Sequence, residues 1–218
     1  MPLNIHSIYR QLFKIWRRRR FDLFLEVIRP KLSDTLLDVG GYPGNWTSHP
    51  PVVKQISSIN LHEVVWNAQN APHHDIKILV GDGCSLDMPD KYFDIGFSNS
   101  VIEHVGSWER QKQFASEIRR VARALWVQTP AYECPIEPHY LAPFVHYLPR
   151  QMQKLILRRG TLWGWIARPS PRQVEEMVET TRLLRKSEVR QLFPDCDILT
   201  ERLFWVIPKS YIAVRKSV

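Results

Sequence analysis

A short apolar run, Thr35-Leu36-Leu37-Asp38-Val39, passes directly into Gly40-Gly41-Tyr42-Pro43-Gly44. The run has the length and character of a buried strand. Consecutive glycines at its end let the backbone turn sharply and approach a ligand that a β-carbon would repel. In a parallel sheet, a ligand on such a turn sits beyond the carboxyl ends of the strands. Taken alone, the turn reads equally well as a tight connection with no ligand, so the rest of the chain has to decide.

Beyond the turn the chain settles into a repeated rhythm. Ile56–Leu61, Ile76–Val80, Phe93–Ser98 and Ala124–Gln128 each read as a further strand. Residues 62–71 leave room for a short helix, and 108–122 form an amphipathic one with Phe114, Ile118 and Val121 on a single face. Strands separated by helical or loop segments require crossovers, which predicts an α/β fold with a mostly parallel sheet. Pro50 and Pro51 leave residues 46–53 no room for a long helix. Upstream, Ile5, Ile8, Tyr9, Leu12, Phe13 and Trp16, then Phe21, Phe24, Leu25 and Ile28, keep helical spacing on either side of Arg17-Arg18-Arg19-Arg20. This predicts an N-terminal helical segment over 4–29, stopped at Pro30.

Residues 132–182 break the rhythm, with prolines at 135, 138, 143, 149, 169 and 171. The stretch is predicted to be an insertion that caps the sheet, without long regular elements. A helix over 187–193 and two strands, Ile198–Val206 and Ser210–Val214, close the chain. Only Ile207, Pro208 and Lys209 separate those strands, so they form a hairpin and the last runs antiparallel. A length of 218 residues suits one domain over 1–218 that includes the helical segment and the cap.

The net charge of +8 permits contact with nucleic acid, anionic lipid or acidic substrates without choosing among them. The three cysteines, Cys84, Cys134 and Cys196, form no CxxC pair. That argues against a zinc site or a disulfide framework, and for a reducing, cytoplasmic setting. No run approaches the ~18 consecutive apolar residues of a membrane span. The N-terminus lacks the charged-then-apolar order of a signal peptide.

Residues able to do chemistry gather at the predicted strand ends. Asp38, Gly40 and Gly41 mark the first. Asn60, followed by Leu61, ends the second, close to the spacing of about 20 residues at which nucleoside-binding folds place a polar side chain on the ribose. Asp82, followed by Gly83, ends the third. A carboxylate there can accept from an adenine amine, and the Cys84 N–H can donate to the ring. Ser98 and Asn99 leave the fourth strand, where backbone carbonyls can receive an ammonium group. His104 comes next, of a residue type that titrates near neutral pH and serves as a base. Singly, each has a structural explanation: Asn60 and Asp82-Gly83 as turns, His104 as a histidine hydrogen-bonded beside Glu103.

Jointly and in this order, the motifs resemble those of small-molecule class I S-adenosylmethionine-dependent methyltransferases. The resemblance covers roughly residues 33–131, and 187–215 are similar to the closing units of that fold. It implies a Rossmann-like three-layer sandwich with a seven-stranded, mostly parallel sheet whose last strand is antiparallel. It also implies S-adenosyl-L-methionine as cofactor, with Gly40 and Gly41 against the methionine part, Asn60 near the ribose, Asp82 near adenine, and Ser98 and Asn99 toward the amino end. Two positions depart from the family's pattern: Tyr42 stands where a glycine is usual, and Asn60 where an acid is usual, with Glu63 the alternative ribose ligand.

The implied chemistry is in-line attack by an acceptor on the sulfonium methyl, without a metal. The acceptor, a small molecule, a lipid or a glycan, is expected between the N-terminal helix and the cap. There Glu137-Pro138-His139-Tyr140 and His146-Tyr147 concentrate titratable and aromatic groups, and His139 is the leading base. Trp163, Trp165 and Tyr140 would stack on a ring or sugar, or else fill the cap core. The segment 5–20 would lie on an anionic membrane, cover the cofactor, or dock a second subunit in a homodimer. Three alternatives remain. One is a non-catalytic binding module of the same fold. Another is an RNA methyltransferase, although enzymes that methylate nucleic-acid amino groups carry Asn/Asp-Pro-Pro-aromatic where this chain reads Ser98-Asn99-Ser100-Val101. The third is a nicotinamide-dependent oxidoreductase, although the turn lacks G-x-G-x-x-G.

Overall fold

Helix α1 (Ile5–Ile28) opens the chain as one 24-residue element. It runs straight through the arginine cluster, because arginine is among the better helix formers. The computed structural model describes residues 5–67, 73–137 and 142–217. Five strands come after it: β1 (Thr35–Val39), β2 (Gln55–Asn60), β3 (Ile76–Val80), β4 (Phe93–Asn99) and β5 (Ala122–Pro130), with helix α2 (Trp108–Val121) between the last two. The cap carries a two-residue pair, β6 (Ile136–Glu137) and β7 (Ala142–Pro143), then α3 (Arg150–Arg159), α4 (Leu162–Ala167) and α5 (Pro171–Thr180). Helix α6 (Lys186–Leu192) and strands β8 (Asp197–Leu203) and β9 (Ile207–Arg215) close the fold.

The strands form one seven-stranded sheet in the order β3-β2-β1-β4-β5-β9-β8. β1 lies parallel to both β2 and β4, with Leu36 opposite Ile56 on one side and Ile95 on the other. The strand order therefore reverses between β1 and β4, and such a reversal opens a crevice at the carboxyl ends. β9 inserts antiparallel between β5 and β8, as the resemblance implied.

Both faces of the sheet are buried, so its strands read as continuous apolar runs. Leu37, Val39, Leu125 and Val127 face α2 and α6 through Phe114, Ile118, Val189 and Leu192. The opposite face presents Leu36, Ile56, Ile95, Phe97 and Trp126 to Phe24 of α1. Phe24 is fully buried, with Phe97 and Trp126 edge-on at 5.2 and 5.6 Å.

Three expectations need correction. Residues 61–67 form no helix; the remainder of that predicted helix, 68–71, lies outside the described residues. The cap is mostly helical, because its prolines sit where a helix tolerates them: Pro149 caps α3 and Pro171 begins α5, behind a Ser170–Gln173 capping box. The closing hairpin turns at Phe204-Trp205-Val206, earlier than Pro208 suggested. Pro208 instead pairs with Arg202 in β9, at a register shift that relieves the strand of its missing N–H. The turn is made with φ of +48° at Phe204 and +67° at Trp205, a left-handed conformation costing about 1 kcal/mol or more per non-glycine residue.

Phe24→Ala should lower the free energy of unfolding by about 3–5 kcal/mol in urea denaturation, since it empties the contact between α1 and the sheet.

Candidate functional site

The glycine turn is built around the carboxylate of Asp38. Asp38 is buried, and its Oδ2 accepts a 2.8 Å hydrogen bond from the Trp46 indole N–H. A β-carbon on Gly41 would lie 1.8 Å from that same oxygen, so the second glycine exists to let the carboxylate fold beneath the turn. Burial pushes the Asp38 pKa up to about 7, against the opposing pull of the Trp46 hydrogen bond. The other oxygen, Oδ1, is buried with no hydrogen-bond partner among the described residues. Gly40 has φ +73° and donates its N–H to Ile59 O at 2.8 Å. A β-carbon there would lie 2.6 Å from the Val101 methyls. Tyr42, at the position where a glycine is usual, is exposed and edge-on to Trp66.

The Asn60 side chain reaches back to this turn. Its Nδ2 donates to Gly41 O at 3.0 Å, beside Ser58 Oγ, which donates to the same carbonyl at 2.8 Å. Asp82 accepts the Cys84 N–H on Oδ1 at 2.9 Å and pairs with Arg110 through Oδ2 at 2.7 Å. The Cys84 N–H assigned to an adenine ring thus closes the Asp82 turn instead. Burial works to raise the Asp82 pKa, but the hydrogen bonds from Arg110 and Cys84 outweigh it and hold the carboxyl below its ordinary value. Burial pushes the Cys84 thiol up to about 11. Ser98 Oγ is buried and donates to Val39 O at 3.0 Å, tying β4 to β1. The Asn99 Oδ1 is buried without a partner.

A cavity of about 380 Å³ joins these strand ends, with Gly40, Asn60, Leu61, Glu63, Asp82, Gly83 and His104 among its lining. Asp38, Gly41, Cys84, Ser98 and Asn99 lie outside that lining. His104 is exposed, and its Nδ1 is 3.5 Å from Thr181 Oγ1. Thr181 also lines a second cavity of about 270 Å³ in the cap, with Tyr132, His146, Arg150, Arg182 and Arg185. A lining residue of each cavity, His104 of the first and Thr181 of the second, is thus in contact with the other. His146 Nε2 lies 3.0 Å from Tyr132 O, and the Arg185 guanidinium sits 4.1 Å over the Tyr132 ring. His139 and Tyr140 lie outside the described residues. Trp163 packs into the cap core, whereas Trp165 is exposed.

Sequence reasoning missed Trp46 and Arg110. Neither belongs to a local motif; a buried acid and a strand-end acid each needed a donor, and only the folded chain shows which residue supplies it. Among the described residues, no group of three or more His, Cys, Asp or Glu side chains is placed to hold a metal ion.

Residues 37–124 match the sequence model described as a methyltransferase domain. No curated protein matches the chain in sequence. A SAM-dependent methyltransferase from Aquifex aeolicus superposes with TM-score 0.52 at 14% identity, over 91% of this chain and 87% of that one. SAM-dependent methyltransferases from Methanosarcina mazei give TM-score 0.50 at 14% identity, over 84% and 92%. A Rhodobacter sphaeroides protein named for zinc-dependent alcohol dehydrogenases gives TM-score 0.59 at 13% identity, over 90% and 88%. At these identities each likeness is one of fold.

The turn generates two expected outcomes. Gly41→Ala must displace Asp38 and should destabilise the protein, as read by urea unfolding. Because the Asp38 pKa rises from 3.8 to about 7 on folding, the native state holds the extra proton in that window. Its contribution to stability is complete below 3.8, falls as pH rises toward 7, and is flat above. The difference between wild-type and Asp38→Asn unfolding curves across that range should show this slope.

Proposed function

We propose that this chain, a class I S-adenosylmethionine-dependent methyltransferase, transfers a methyl group to a small-molecule, lipid or glycan acceptor. The acceptor would be held between the turn after β4 and the cap. The observation that carries the reading is the cavity at the reversal of strand order, where Gly40, Asn60, Asp82 and His104 come together from successive strand ends.

The residues fit the cofactor. Asp38 Oδ1 and Asn99 Oδ1 are buried acceptors without donors among the described residues, on adjacent strands at this end of the sheet, and they suit a cationic amino group. Gly40 lines the cavity, and the glycines make room for the Val101 methyls and the Asp38 carboxylate that shape its floor. Asn60 commits its amide nitrogen to the turn, so it meets ribose hydroxyls as an acceptor, as Glu63 also can. Asp82, kept ionised by Arg110, would accept from the adenine amine, with Leu61 and Gly83 lining the same cavity. Tyr42 lies outside the cavity lining, so this departure from the glycine pattern does not obstruct it.

When bound, the cofactor supplies a sulfonium methyl open to nucleophilic attack. The chain supplies alignment, exclusion of water and a proton acceptor. His104 stands on the cavity wall beside Thr181 of the cap, placed to take a proton from an acceptor entering between them. The arginine-bordered cap cavity would hold the remainder of that acceptor. For a lipid-linked acceptor, residues 5–20 would lie toward the anionic surface.

S-adenosylhomocysteine should raise the melting temperature and NAD should not; the reverse would overturn the reading. Asp82→Ala should weaken S-adenosylhomocysteine binding about tenfold or more by calorimetry. Labelled methyl should enter a small-molecule, lipid or glycan fraction of a cell extract, and entry into RNA instead would refute the proposed acceptor class. His104→Gln should slow that transfer by about a hundredfold or more while leaving S-adenosylhomocysteine affinity unchanged.

A further inference from the structure

The β8–β9 turn sets three large apolar side chains almost wholly in solvent: Phe204 is 84% exposed, Trp205 93% and Val206 72%. Both aromatic residues have positive φ. A hairpin turn of this kind is made without strain by Asn-Gly, so the sequence forgoes the residues that would stabilise the turn. Neither ring touches another ring of the described residues, so the strain serves no packing visible in the fold. Backbone strain without an internal return is characteristic of a functional surface.

The surroundings of the tip are basic. Arg202 is exposed beside it and donates to Val206 O at 3.0 Å. Helix α1 is fastened to the same hairpin: Lys209 Nζ lies 3.9 Å over the Trp16 ring, and Arg20 pairs with Glu201 at 2.7 Å. Between those two contacts α1 carries the exposed Arg17, Arg18 and Arg19. The hairpin's nearest acid, Glu201, is spent on Arg20 and Ser210.

We infer that Phe204-Trp205-Val206 is a wedge that enters the headgroup region of an anionic bilayer, with Arg202 beside it and the basic run of α1 adding attraction to the lipid phosphates. Tryptophan and phenylalanine favour that depth, and clustered arginines favour anionic lipid over neutral. A second copy of the chain is the poorer occupant, because an isologous contact would bring two basic patches face to face. The inference goes beyond the methyl-transfer reading and does not depend on it.

The test is sedimentation of the full chain with phosphatidylcholine vesicles, with and without phosphatidylglycerol. The chain should sediment with the anionic vesicles, less so as salt rises, and weakly with phosphatidylcholine alone. The double substitution Phe204→Asn, Trp205→Gly should weaken binding at least tenfold while leaving the melting temperature unchanged or higher. A merely structural turn would not give that pairing. The triple substitution of Arg17, Arg18 and Arg19 by Gln should remove the preference for anionic vesicles. Absence of binding to anionic vesicles, or undiminished binding by the double variant, would overturn the inference. So would a dimer in lipid-free solution that the double variant dissolves while vesicles capture neither form. The S-adenosylhomocysteine shift, measured on the same samples, reports the cofactor reading separately.

Discussion

The hydrogen bond from the Trp46 indole to Asp38 is the joint on which the fold turns. A carboxylate buried beneath a tight turn needs a donor, and the tryptophan that supplies it belongs to the aromatic layer formed by Phe24, Phe97 and Trp126. Trp46 stands edge-on to Phe97 at 4.9 Å and to Phe24 at 6.3 Å. The shape of the glycine turn is thus set partly by a helix that precedes it in the chain. A change in how α1 packs would be felt at Asp38 before any residue of the cavity moved, because close-packed aromatic side chains transmit displacement with little give.

The same helix fills a structural gap. The described residues between β1 and β2, and between β2 and β3, include no α-helix, although such crossovers usually cover one face of a parallel sheet. α1 takes their place over Leu36, Ile56, Ile95 and Trp126. Its far side is joined to the closing hairpin through Arg20, which also donates to Gln128 Oε1 at 2.9 Å. One element therefore spans from the glycine turn to the β8–β9 hairpin, and it links the carboxyl end of the parallel strands to the surface proposed to meet lipid.

The central sheet was largely legible because its strands are short, apolar and bounded by glycine, proline or aspartate. β1 and β3 run where periodicity alone places them, and β2, β4 and β5 differ only at their ends. The cap was not legible in the same way. Proline was read there as a breaker, but a proline at the first helical turn starts a helix, and Pro171 behind Ser170 does so. The hairpin misled for a related reason: Pro208 is the obvious turn residue, yet a register shift accommodates it while two aromatic residues take the turn. At the site, sequence order located Gly40, Asn60, Asp82 and His104 on one cavity. It could not show that the Asn60 amide braces Gly41, that Cys84 closes onto Asp82, or that Arg110 meets Asp82 from 28 residues away. Those are long-range pairings decided by where helices and turns come to rest.

The insertion of β9 between β5 and β8 also constrains how the molecule can be made. β5 is the strand whose Trp126 and Leu125 are fully buried on opposite faces, and its second neighbour is the last strand of the sheet. During synthesis β5 has only β4 beside it until Arg215 has left the ribosome. Its outer edge, with unpaired backbone groups, stays open throughout the making of the cap. Chains arrested within the cap would therefore expose an interior strand as an edge, a state prone to pair with other chains. The sheet is in this sense completed from its middle by β9, and termination before that strand would leave an aggregating intermediate.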